Sequence, residues 1–125
     1  MYVGEKAKVP ERPDLVTWNL LARGWKLYYE LTKESLAAAE KILRKAVTNA
    51  PTSCDAHYIL AGVLSHQVFM GYASDMDAFN SEAYETAKRA VSLDEKNEYA
   101  HWTLGVIQFH RRKLDLAVAE LKRAI

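Results

Sequence analysis
The chain has 125 residues, seventeen basic against sixteen acidic side chains for a formal net charge of +1, half of its residues hydrophobic, and a single cysteine. That is room for one domain with one continuous core, and one cysteine excludes an internal disulfide framework and a cysteine-based zinc site. Near-neutral charge argues against a chain built mainly to bind nucleic acid or an anionic membrane, and no apolar run approaches the roughly 18–20 residues that insert across a bilayer. Met1 to Pro13 is polar, lacks the apolar stretch of a signal peptide, and reads as a flexible lead-in (1–13) to one domain over 14–125. The expected compartment is the cytoplasm. Six helices follow, near 14–30, 33–49, 54–70, 76–92, 97–111 and 114–125. Their start signals are Asp14 after Pro13, Thr32 before Lys33-Glu34, Ser74-Asp75-Met76-Asp77 as a capping box with Asp in place of Glu, and Asn97. Pro51 stops the second helix because it has no backbone N–H to donate. No alternating pattern of useful length marks a strand, so the fold class is all-α.

The helices repeat in pairs. Leu43-Arg44-Lys45-Ala46-Val47, Ala87-Lys88-Arg89-Ala90-Val91 and Leu121-Lys122-Arg123-Ala124-Ile125 end alike. Each carries a further alanine seven residues before its own: Ala39, Ala83 and Ala117. Seven residues is two helical turns, so each pair of small residues shares one helix face. A second module, Asp55-Ala56-His57-Tyr58-Ile59-Leu60-Ala61, recurs 44 residues later as Tyr99-Ala100-His101-Trp102-Thr103-Leu104-Gly105, with a weaker first copy at Leu20-Leu21-Ala22-Arg23-Gly24. The joint between repeats is constant, fifteen residues from Ala46 to Ala61 and again from Ala90 to Gly105. All length variation falls between the two helices of a repeat, as stacking requires. The repeats run over about 14–51, 52–95 and 96–125. Alanine or glycine at a crossing lets two helices approach while larger neighbours interdigitate around them.

A helix–turn–helix of about 34 residues with small residues at fixed places resembles the tetratricopeptide repeat (TPR). The third repeat carries the likeness on Leu104, Gly105, Ala117, Leu121 and Ala124. The second carries it on Leu60, Ala61, Ala83, Ala87 and Ala90, and the first on Gly24, Ala39, Leu43, Ala46 and Pro51. Arg23 stands where Leu is usual, His57 and His101 where Trp is common, and Glu95 replaces the proline that Pro51 supplies earlier. The resemblance implies an α-α superhelix, a TPR-like solenoid of three repeats and six helices with right-handed stacking. A narrower likeness lies in the run from Lys8 to Gly24, the Thr32-Lys33-Glu34 turn, the insertion Met70-Gly71-Tyr72-Ala73-Ser74-Asp75 and the Ala100-His101-Trp102-Thr103-Leu104-Gly105 helix. Together these resemble the C-terminal TPR region of bacterial adenylate cyclases and related transcriptional activators, over roughly residues 8–125. That likeness implies the regulatory region of a larger signalling protein whose catalytic domain lies elsewhere. The chain stops at Ile125 inside the last helix of the third repeat, without a polar capping helix, as expected of a segment of a longer protein.

Candidate chemistry is sparse. His57 and His66 are nine residues apart, as are His101 and His110, which points each pair to opposite helix faces. Pairing across repeats, His57 with His101 or His66 with His110, lacks the third and fourth ligands that first-row metals want. The reading is one packing and one groove-rim histidine per repeat, with no metal and no cofactor. Cys54 begins a helix, where the dipole favours a thiolate, yet nothing provides a base; it reads as a small packing residue. Serine and aspartate spacing shows no catalytic pattern and glycines never cluster into a phosphate loop, so the chain is not expected to be an enzyme. The base pairs Arg44-Lys45, Lys88-Arg89 and Lys122-Arg123 are accompanied by Glu40, Glu85 and Glu120, spaced to pair with Arg44, Arg89 and Arg123 on a solvated face.

The aromatic pattern is the most informative. By the TPR resemblance, the first-helix residues that line the concave surface are Trp18, Leu21, Trp25, Tyr28 and Tyr29, then Asp55, Tyr58, Gly62, Ser65 and His66, then Tyr99, Trp102, Val106, Phe109 and His110. All three tryptophans and four of the seven tyrosines thereby map to one groove. Such rings offer large apolar area with a polar tip and dominate binding hot spots. The expected function is a non-catalytic protein–protein interaction module that binds a peptide or protein segment there. Its groove residues are Trp18, Trp25, Tyr28, Tyr29, Tyr58, His66, Tyr99, Trp102, Phe109 and His110. The competing reading tucks several of these rings into the core. A clamp for C-terminal carboxylates, which such repeats build from Lys, Asn and Arg at these places, is not expected where aromatics stand. The alternative function is self-assembly, a homodimer formed through the groove or through Leu116, Val118, Leu121 and Ile125 of the last helix.

Overall fold
The computed structural model describes residues 15–111 and 114–125, without the side chains of 114–117. Asp14 and its start signal lie outside them. Among the described residues six helices form: α1 Leu15–Glu30, α2 Lys33–Asn49, α3 Cys54–Phe69, α4 Met76–Leu93, α5 Glu98–His110 and α6 Leu114–Ala124. No strand occurs among the described residues. The boundaries fall within one residue of those expected, because the punctuation is local.

Thr32 Oγ1 accepts the Ser35 N–H while Ser35 Oγ accepts that of Thr32, both at 2.9 Å, closing a capping box at the start of α2. Asn97 caps α5 by accepting the Ala100 N–H at 3.0 Å. The cap of α4 is Asp75, which accepts from Ala78 at 3.0 Å, so the box expected on Ser74 is not formed. Ser53, a cap not anticipated, accepts from Ala56 at 3.1 Å and starts α3. Each of these oxygens satisfies an orphan N–H, worth about 1 kcal/mol. Gly71, with φ +77°, makes the left-handed bend that ends α3.

Packing proceeds along the chain. The principal contacts are α1 with α2, α3 with α4 and α5 with α6; α2–α3 and α4–α5 join these pairs, and α1, α3 and α5 touch in succession. Central α3 buries residues on all its sides, from Ala56 to Gln67. Leu36, Leu43, Leu64 and Ile107 are wholly enclosed, and so are Ala39, Ala46, Ala61, Ala83, Ala87 and Ala90. Ala124 is half-buried, and the side chain of Ala117 lies outside the described residues. At Gly24 a Cβ would stand 2.8 Å from Leu43 Cγ, so a larger residue there forces the Leu43 side chain to shift. No helix among the described residues is long and apolar enough to cross a membrane.

The outer charges pair differently from helix spacing. Arg44 takes Glu40 at 2.9 Å as expected, but its guanidinium also forks onto Glu82 of α4 at 2.6 and 2.8 Å. Glu85 pairs with Lys88 at 3.3 Å rather than with Arg89. Glu120 turns inward to His101 instead of outward to Arg123. Solvent screens the outer pairs, which contribute under about 1 kcal/mol each.

Candidate functional site
Spacings of seven and eleven residues put Trp18, Trp25 and Tyr29 on one face of α1. Trp25 meets Tyr29 edge-on at 5.1 Å between ring centres. Opposite them, Tyr58 of α3 stacks on Tyr99 of α5 at 5.9 Å, with 19° between the planes. These walls, with Trp18 and Asp55, enclose an open cleft of about 450 Å³. Its rings remain largely in water: Trp18 is 60% exposed, Tyr29 70% and Tyr99 66%. Tyr58 is half-buried, and Leu21 lines the cleft while belonging to the core.

A second cluster lies further along the same helices. The Tyr28 hydroxyl and His66 Nδ1 are 2.8 Å apart, and their rings meet edge-on at 5.2 Å. Tyr28 reaches this place because residue 62 is glycine: a Cβ there would fall 2.8 Å from the phenolic oxygen. Burial pushes the Tyr28 hydroxyl up to about 12. His110 stacks on Phe69 at 5.1 Å and touches Phe109 edge-on. Phe69 escaped the sequence reading, although it lies eleven residues after Tyr58 and so shares its helix face. Trp102 and Phe109, both expected in the groove, are exposed on α5 but do not line the cleft.

His66 is half-buried. Loss of solvent, reinforced by His110, holds its ring below the ordinary 6.5, outweighing a backbone hydrogen bond at Gly62. The folded chain therefore protonates later than the unfolded one. Stability carried by neutral His66 is whole above about pH 6.5 and is lost as pH falls below that value toward the lower folded one. The thermal midpoint of the native protein is expected to drop over this window more steeply than that of His66→Gln. Parallel melting curves at each pH check this, and identical slopes would exclude His66 as the source.

The other two histidines are structural. His57 is buried, with Nδ1–H donating to the Ser53 carbonyl at 2.7 Å. His101 is buried between Glu120 and the Glu95 carbonyl. Among the described residues no three side chains are placed to hold a metal ion. Cys54 donates its S–H to the Ala90 carbonyl at 3.2 Å. Burial, with Asp55 and Asp94 adding negative charge, pushes its thiol up to about 12, so desolvation overrides the helix dipole that favoured a thiolate. Of the last-helix residues, Val118 and Ile125 are exposed, Leu121 is half-buried, and the Leu116 side chain lies outside the described residues. No protein-family model matches the chain, and no curated protein matches it.

Proposed function
We propose that this chain is a TPR-like array of three repeats that acts as a non-catalytic interaction module, taking a peptide or protein segment in its aromatic cleft. The single observation that carries the reading is the exposure of its rings. Water-facing indole and phenol surface forgoes about 25 cal/mol per Å² of burial, and contiguous patches of it mark binding sites. Succession of α1, α3 and α5 along the cleft is the arrangement that a stacked array uses to present a continuous surface. The further reading, a regulatory region within a larger adenylate-cyclase-like signalling protein, rests on the motif likeness of residues 8–125 alone.

Selection of a phage-displayed peptide library on the immobilised chain tests the module. Enriched peptides are expected to lose about tenfold or more in affinity against Tyr58→Ala or Tyr99→Ala, with the thermal midpoint of the Tyr99 variant unchanged. Failure to enrich any peptide, or lost stability with intact binding, would count against the cleft. Exposed Val118 and Ile125 favour self-assembly as the second reading. Sedimentation velocity at micromolar concentration separates the two, since a monomer removes it.

A further inference from the structure
The cleft has a charge character as well as an apolar one. Among the described residues that line it, Asp55 is the one charged side chain, and none is lysine, arginine or histidine. Around that carboxylate the walls are aromatic: Tyr58 stacked on Tyr99, and Trp25 edge-on against Tyr29. Aromatic faces carry the negative end of the ring quadrupole. Asp94 adds its own negative field at Asp55 and at neighbouring Cys54. The one formal charge among the described lining residues is thus negative, and the rest of that lining is aromatic or aliphatic.

Three kinds of occupant can be compared. An acidic segment meets Asp55 and finds no cation. A neutral apolar segment covers the rings but strips water from a carboxylate and adds no partner beyond the Asn97 hydrogen bond, which is costly. A basic side chain lays its methylene stem on the rings and its charge beside Asp55. Arginine adds planar stacking and a two-pronged hydrogen bond to a carboxylate. Partial burial, with Asp94 repulsion, raises the Asp55 carboxyl against a hydrogen bond from Asn97, and an incoming cation relieves that strain.

We propose that the cleft selects polypeptide segments by a cationic side chain, arginine or lysine, held between the Trp25–Tyr29 and Tyr58–Tyr99 ring pairs with its charge against Asp55. This inference rests on the peptide-binding reading and names the chemistry of the peptide. It is tested with three blocked dodecapeptide pools of matched size, one rich in Arg and Lys, one in Asp and Glu, one in Ser and Gln. Each is titrated into the whole chain and followed by its tryptophan fluorescence, with tetramethylammonium chloride as a separate titrant. The basic pool is expected to bind about tenfold or more tighter than the others. Asp55→Asn and Tyr99→Leu, the latter keeping apolar bulk but removing a ring face, are expected to lose about threefold to tenfold of that affinity, while Asp55→Glu retains it. Both positions are open to solvent, and circular dichroism verifies that the variants fold. Equal binding of the neutral pool, or indifference to Asp55→Asn and Tyr99→Leu, overturns the charge selection and leaves the peptide cleft standing. Binding of no pool overturns both. Saturation by tetramethylammonium as tight as by the basic pool makes this a small-cation site and overturns the peptide occupant.

Discussion
Leu43→Ala is expected to destabilise the protein by about 2–5 kcal/mol, the range for deleting a large aliphatic side chain from a closed core. Leu43 is fully buried and its side chain lies against Gly24, where α1 packs on α2. Gly24→Ala alone sets two effects against each other. Alanine is the better helix former by about 1 kcal/mol. Its methyl, however, would stand 2.8 Å from Leu43 Cγ and Cδ2, and overfilling a sealed core costs about 1–3 kcal/mol. The net single effect is a loss of about 0–2 kcal/mol. In the Leu43→Ala background the space is vacant, so Gly24→Ala is expected to stabilise by about 0.5–1 kcal/mol. The two substitutions should therefore be non-additive by about 0.5–3 kcal/mol in the compensating direction. Urea midpoints of the four proteins, with unchanged slopes, measure the cycle. Additive losses would mean that α1 and α2 do not meet at these residues.

His101→Ala is the second large expected loss, about 2–4 kcal/mol. The ring is 3% exposed, and both of its nitrogens are engaged. Nδ1 lies 2.7 Å from Glu120 Oε2 on α6, and Nε2–H donates to the Glu95 carbonyl at 2.6 Å in the turn before α5. One side chain thus ties the last helix to the preceding turn. Truncation leaves a vacated ring site and strands a largely buried carboxylate without its partner. His101→Ala with Glu120→Ala is expected to recover part of the loss, since no carboxylate is then stranded. Thermal and urea unfolding of the two variants checks this. A loss under about 0.5 kcal/mol for the single variant would show that α6 is held by other means.

Helix number and limits were legible because caps and stops act over three or four residues: Thr32 with Ser35, Asn97 with Ala100, and Pro51. Ser53 caps α3 over the same three-residue reach. Ala39, Ala46, Ala83 and Ala90 were legible as contact residues, since two-turn spacing puts them on one face and they are enclosed. Partners across helices were not legible. Helix spacing assigned Glu120 to Arg123, but a buried imidazole drew that carboxylate inward. Arg44 reaches Glu82 only because α2 and α4 expose those residues on one surface. The ring cleft was half legible. Periodicity brings Trp18, Trp25 and Tyr29 together on α1, but the packing of α1 on α3 and of α3 on α5 decides that Tyr99 enters the cleft while Trp102 does not. That fit depends on the bulk at the crossings, such as the Gly62 opening that admits Tyr28, and helix spacing does not contain it.

Acrylamide quenching of Trp18 and Trp25, with exposed Trp102 as a reference outside the cleft, tests the surface cleft most directly. Three variants, each keeping one of Trp18, Trp25 and Trp102 with the others changed to phenylalanine, isolate each indole. With Trp18 60%, Trp25 37% and Trp102 56% exposed, all three are expected to quench readily in the native protein, Trp25 least. Trp18 and Trp25 shielded from acrylamide in the native protein, and reached only after unfolding, would make these rings core and remove the cleft.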